Sequence, residues 1–182
     1  VSVRKLLIAL AAAGAFAFWF THRGLTPARV DDFYAAQVDA FAKEDRTRLC
    51  AQYAPEYKGI DRQTVRDSVQ VVHADKDLAC KGVDFLFDFK KRFDAKQADG
   101  GVLATEFHVS PGDVAIARDG KSADVHLHVH MDFGGAIVTD SEGVEQLVLR
   151  DGKVMSIGSE MTSQVSGPLA LGADPASLTT GR

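Results

Sequence analysis

Residues 122–133 read SADVHLHVHMDF, and the alternation in this stretch decides the fold. Ala123, Val125, Leu127, Val129 and Met131 share one parity, and His126, His128 and His130 share the other. Strand side chains point to opposite faces with a period of two, so a long β-strand with one buried and one polar face is predicted. Upstream, Asp119-Gly120 is a two-residue hairpin signal. That turn sets Ile116 opposite Ala123, Val114 opposite Val125 and Asp113 opposite His126, which brings the apolar faces into register. Further strands are expected over residues 102–109, before a turn at Ser110-Pro111-Gly112, and in a closing hairpin of residues 144–150 and 153–161 that turns at Asp151-Gly152. Gly134-Gly135 ends the long strand, and a loop is expected through Gly143.

The half of the chain before Gly100-Gly101 has helical spacing instead. Thr26 is a candidate N-cap with Pro27 at the first helical position. Val30, Phe33, Tyr34, Val38 and Phe41 then make one apolar stripe, in a helix expected to reach about Tyr53. After a loop at residues 55–60, Asp61 is expected to cap a second helix lined by Val65, Val69 and Val72. A third helix after residues 73–75 carries Leu78, Phe85, Leu86, Phe89 and Phe93. Three helices followed by an antiparallel meander make an α+β order.

Residues 1–21 read as a membrane-targeting segment. Arg4 and Lys5 precede an uncharged apolar run, residues 6–20 (LLIALAAAGAFAFWF). It is short for the roughly 20 residues a spanning helix needs, but its flanks can extend it. Cleavage after Ala15-Phe16-Ala17 and retention as a signal-anchor both fit. The aromatic cluster Phe18-Trp19-Phe20 and the lack of a polar region before the triplet favour the anchor. No cysteine follows the run, so a lipoprotein is disfavoured. Cations held inside place the rest of the chain at the periplasmic face of a bacterial inner membrane; with cleavage it is released to the periplasm. Residues 22–27 then form a linker, 28–165 the folded domain, and 166–182 a small-residue tail without a periodic apolar face, expected to be disordered.

The formal charge is −4 and no dense Lys/Arg stripe is present, so nucleic acid is excluded as a partner. An oxidising compartment favours pairing the two cysteines, Cys50 and Cys80; two unpaired buried thiols are the alternative. Neither sits in a Cys-x-x-Cys motif.

The opening helix VDDFYAAQVDAFAKEDRTRLCAQYAPEY (residues 30–57) with its break at Ala54-Pro55, the two further helices, and the closing hairpin VEQLVLRDGKVMSIGSE (residues 144–160) resemble the nuclear transport factor 2-like superfamily, which includes ketosteroid-isomerase-like and SnoaL-like proteins. The resemblance spans residues 28–165. It implies a curved sheet wrapped around helices as a cone with an apolar pocket, and homodimers formed through the sheet. That fold hosts isomerases, dehydratases, transport adaptors and many proteins of no established activity, so it does not fix a function.

The histidines are the conspicuous chemistry. Neighbours two apart on a strand lie roughly 6–7 Å apart, so His126 with His128, or His128 with His130, can converge on one zinc ion. His126 and His130 are about 13 Å apart, so a third ligand has to come from Asp113 or His108. The competing reading is a solvated or partner-facing surface, made pH-dependent by residues that titrate near 6.5. In the isomerase-like members an Asp acts as base and a Tyr as oxyanion donor. Tyr34, Tyr53, Tyr57, Asp32 and Asp61 are available here, but none aligns with that constellation, and Tyr34 reads as core. No catalytic or cofactor-binding motif is present. The expectation is a binding or assembly module with an unidentified protein or small-molecule ligand; an acid–base isomerase or hydrolase and a metal-binding protein are the alternatives.

Overall fold

The computed structural model describes residues 24–97 and 105–168, and within them the chain alternates twice between helix and sheet. Helix α1 (Pro27–Ala42) is followed by a short α2 (Arg46–Cys50). A hairpin, β1 (Tyr53–Val65) and β2 (Ser68–Asp75), precedes α3 (Lys76–Gln97). Four strands close the domain: β3 (Thr105–Ile116), β4 (Ser122–Phe133), β5 (Val138–Arg150) and β6 (Lys153–Ser166). They form one six-stranded sheet in the order β2-β1-β6-β5-β4-β3.

The hairpin replaces the helix expected after Asp61. Val65, Val69 and Val72 do fall at helical spacing. Residues 68–75, SVQVVHAD, also alternate and are rich in β-branched valine, and that preference prevails once β6 supplies a ladder for β1. Arg66, at φ 57°, turns the chain. Pairing between β1 and β6 is parallel, so the sheet is mixed rather than wholly antiparallel. Residues 55–60, expected as a loop, belong to β1. The opening helix stops at Ala42: Glu44 adopts φ 53°, and Asp45 starts α2 by accepting a hydrogen bond from Arg48 N at 3.0 Å.

Several other local signals hold. Thr26 caps α1 through Arg29 N at 3.3 Å, and Asp75 accepts from Leu78 N at 2.9 Å where α3 begins. Gly134 and Gly135 end β4 with positive φ, and Asp151-Gly152 turns the last hairpin at φ 48° and 77°. The loop expected as far as Gly143 is shorter, since β5 starts at Val138. Ser110-Pro111-Gly112 is not a turn but lies within β3, where the register slips between Pro111 and Val114. Ile116 and Val114 do face Ala123 and Val125. Gly112 and Asp113 together occupy the place opposite His126, a bulge of the kind that bends a strand and increases sheet twist.

Two clusters hold the helices to the concave side. Val30, Phe33 and Tyr34 of α1 pack with Ala123, Val125, Leu127 and Leu147. Ala40, Phe41 and Leu49 pack with Val83 and Phe87 of α3, where Phe41 stacks on Phe107 at 4.3 Å. A disulfide joins Cys50 to Cys80 with Cα atoms 5.5 Å apart, tying α2 to α3. Residues 1–21, where a membrane anchor was expected, and most of the 166–182 tail lie outside the described residues; Ser166 still belongs to β6. Among the described residues no helix is long and apolar enough to cross a membrane.

Candidate functional site

The inner face of the sheet is divided by chemistry. On β3 and β4 it is aliphatic, but β5, β6 and β1 present Glu145, Ser141, Ser156, Ser159, Ser163 and Asp61 on the same parity as Leu147. Glu145 stands opposite Val125 and is only 6% exposed. Its Oε2 accepts a hydrogen bond from the Tyr34 hydroxyl at 2.8 Å, and Tyr34 is itself 2% exposed. The apolar stripe of α1 thus delivers one polar atom to the one acid buried among the described residues.

Burial governs the electrostatics of this pair. Desolvation raises the Glu145 pKa above the ordinary carboxylate value, and polar contacts from Ser156 and Tyr34 oppose the rise. Ser156 Oγ lies close enough to soften the shift yet makes no well-formed hydrogen bond. Burial and the neighbouring Glu145 charge raise the Tyr34 pKa far above that of a free phenol, so Tyr34 acts only as a donor. Tyr53 and Tyr57, whose rings lie 4.6 Å apart, are also raised, chiefly by burial. Tyr57 reaches Ser159 Oγ at 2.7 Å and feels both Glu145 and Asp61. Asp61 accepts from Ser163 Oγ and Gln63 Nε2, each at 2.8 Å, and Ser141 bonds Ser163 at 2.7 Å. The interior therefore holds two carboxyl-centred networks. One is sealed at Glu145, and the other runs along the inner face from Asp61 to Ser141.

Two hollows open on the surface. One of about 460 Å³ lies between α1 and β3, lined by Asp31, Tyr34, Ala35, Val38, Val109 and Pro111. The other, about 390 Å³, is lined by Thr64, Asp140, Glu142, Thr162 and Gln164.

The histidines sit on the opposite face from the core. His126 and His128 are exposed and His130 is partly covered. His130 Nδ1 lies 2.7 Å from Asp140 Oδ1, and His128 Nε2 lies 3.8 Å from the same oxygen. His108 is the cross-strand partner of His130. Asp113 shares the place opposite His126 with Gly112, in the bulge. No group of three or more His, Cys, Asp or Glu among the described residues is arranged to hold a metal ion. Asp32 is exposed on α1, Tyr34 is core as expected, and Asp61 proves to be a strand residue facing inward.

Reading the sequence for chemistry missed Glu145. The signal was available in the parity of VEQLVLR, where Glu145 shares a face with Leu147 and Leu149, but a glutamate in an alternating strand reads first as solvent-facing.

No family model matches the chain, and no curated protein matches it. Solved structures do. A nuclear transport factor 2-like protein of unknown function from Pseudomonas putida is 12% identical, covering 76% of this chain and 88% of its own, with a TM-score of 0.50. A ketosteroid isomerase-like protein from Erwinia carotovora atroseptica is 12% identical over 78% and 96% of the two chains, with a TM-score of 0.46. A further nuclear transport factor 2-like protein of unknown function, from Shewanella oneidensis, is 11% identical over 74% and 97%, with a TM-score of 0.48. With its mixed sheet curved around α1 and α3, the chain resembles the nuclear transport factor 2-like proteins in fold.

Proposed function

We propose that this chain is an exported, membrane-tethered binding or assembly module of the bacterial envelope, without chemistry of its own. The observation that carries the reading is the closure of the cone around Glu145. The acid and its Tyr34 donor, which a proton-transfer catalyst would present to substrate, are 6% and 2% exposed and bond each other. Surfaces a partner can reach lie in the α1–β3 hollow, which Tyr34 helps to line while its hydroxyl stays bonded to Glu145, and on the outer face of the sheet. Export is supported by Arg4 and Lys5 ahead of the apolar run at residues 6–20, and by the disulfide, which persists in oxidising compartments. Fractionation of cells producing the full chain tests it. The protein is expected in the membrane fraction, digestible by protease added to spheroplasts, with no thiol reactive before reduction. Recovery from the cytoplasm with two free thiols would overturn the proposal.

One observation favours acid–base chemistry as a second reading: a buried carboxyl with a raised pKa beside a tyrosine donor is the type of group that serves in proton transfer. Catalysed proton exchange from a 3-ketosteroid probe, lost in Glu145→Gln while that variant remains folded, would install that reading in place of the first.

A further inference from the structure

Helix α3 carries apolar side chains on the side turned away from the core. Val83 and Phe87 face inward and are buried, whereas Leu78 is 44% and Phe85 53% exposed. Leu78, Phe85 and Phe89 fall at i, i+7 and i+11, so at about 100° per residue they form one line opposite Val83 and Phe87. Phe85 is held in that line, because its ring stacks on Phe89 at 6.4 Å and Phe89 packs edge-on against Phe133 at 5.0 Å. Exposed Lys81 and Arg92 flank it, with exposed Lys91 further round the helix. Of the acids on α3, Asp84 pairs with Arg46 and Asp94 with Lys90, which leaves Asp77 and Asp88. An apolar line bordered by cations is the pattern of a helix that lies in a lipid headgroup layer.

The tether brings such a layer close. Leu25 N donates to Gly120 O at 2.6 Å, so only residues 22–24 separate the apolar segment at residues 1–21 from chain fixed in the fold. Three residues span at most about 10 Å, which holds one side of the domain near the bilayer surface. The first turn of α3 lies at that same end of the sheet. From Ala123, just beyond the Gly120 turn, one row runs through Leu147 and Ser156 to Tyr53, whose carbonyl accepts from Lys76 Nζ at 2.7 Å. The row crosses three strand spacings, about 14 Å.

The outer face of the sheet is the competing surface, and its charge disqualifies it. Its rows from Asp124 to Asp132 carry Glu106, Asp124, Asp132, Asp140, Glu142 and Glu160. Among the described residues their permanent cations are Lys58 and Arg62. Anionic lipid repels that face and attracts the cations of α3, which packs on the concave side.

We propose that α3 docks on the surface of the membrane that holds the chain, seating Leu78 and Phe85 at the level of anionic lipid headgroups with Lys81 and Arg92 on their phosphates. The inference rests on the membrane-tethered reading, and it leaves the outer sheet face turned away from the bilayer and open to a partner.

The test uses the full chain with Trp19→Phe, which removes its one tryptophan, reconstituted into vesicles of phosphatidylcholine with phosphatidylglycerol. Phe85→Trp in that background should float with the vesicles and emit further to the blue than in phosphatidylcholine alone. It should lose about half its intensity to lipid brominated in the upper acyl chain. Leu78→Trp repeats the reading at a second position. Val69→Trp, on β2 where the native side chain is 66% exposed on the outer face, should float and stay unquenched. Lys81→Glu with Arg92→Glu, added to Phe85→Trp, should float and lose the quenching. Docking is overturned, with the tether intact, if Phe85→Trp and Leu78→Trp float unquenched, if Val69→Trp is quenched equally, or if charge reversal leaves the quenching unchanged. Blue-shifted emission without quenching would mean that protein rather than lipid covers the helix, and also overturns it. A chain that does not float overturns the tether and the docking together.

Discussion

Tyr34 and Glu145 show how a single polar contact can be built into an apolar interface. Both sit among aliphatic side chains, and the 2.8 Å bond between them satisfies one lone pair and one donor that burial would otherwise leave unmet. Tyr34→Phe should therefore destabilise the fold by about 1–3 kcal/mol in urea titration at neutral pH, since the glutamate loses its donor while staying buried. Glu145→Gln keeps an oxygen to accept that bond and removes the charge, so it should be tolerated. The two variants also differ in pH dependence. The folded-state pKa of Glu145 is raised, so the native state binds more protons than the unfolded chain between the unfolded value, about 4.3, and the folded one. Its contribution is favourable below that window and is lost as the pH rises through it. Melting temperature is expected to fall with rising pH across this window in the parent, with that component absent in Glu145→Gln. An unchanged profile in the variant would show that Glu145 does not titrate in this way.

At the scale of elements, β5 and β6 show why backbone room matters as much as pattern. Gly143 faces Leu127 on one side and Met161 on the other, and a Cβ there would collide with the carbonyl of Glu160 and with Met161. Most of that obstruction is backbone, so it cannot swing aside. Gly143→Ala should cost about 1–3 kcal/mol through overpacking, read as a lower urea midpoint with the m-value unchanged. Gly82, by contrast, lies within α3, and a methyl group added to it would meet nothing within 4 Å. Gly82→Ala should stabilise by about 0.5–1 kcal/mol, because only the helix preference changes. Opposite signs for the two glycines separate steric need from backbone freedom.

For the whole molecule, the link that matters is between α2 and α3. Cys50 and Cys80 are 30 residues apart in sequence, and the β1–β2 hairpin lies between them. Closing a loop of that size limits the unfolded ensemble by about 3–4 kcal/mol on the chain-entropy account. Cys50→Ala with Cys80→Ala should lose a stability of that order, and reduction of the parent should bring the two proteins to the same melting temperature. The bridge also holds the hairpin in place as the sheet's outermost pair, beyond the parallel junction with β6.

Wherever a local rule decides the outcome, the sequence was sufficient by itself. The parity of residues 122–133 placed Val125 and Leu127 inside and the histidines outside; Asp151-Gly152 and Gly134-Gly135 marked the turns; Thr26-Pro27 started α1. Tertiary structure decided what depends on partners distant in the chain. Val65, Val69 and Val72 fit a helix as well as a strand until β6 offers β1 its hydrogen bonds, so a parallel pairing with a strand far along the chain converts an expected helix into a hairpin. Glu145 likewise reads as a surface glutamate until α1 covers it and brings the Tyr34 hydroxyl across 111 positions. Propensity and periodicity act over a few residues, whereas burial is set by whichever element packs on top.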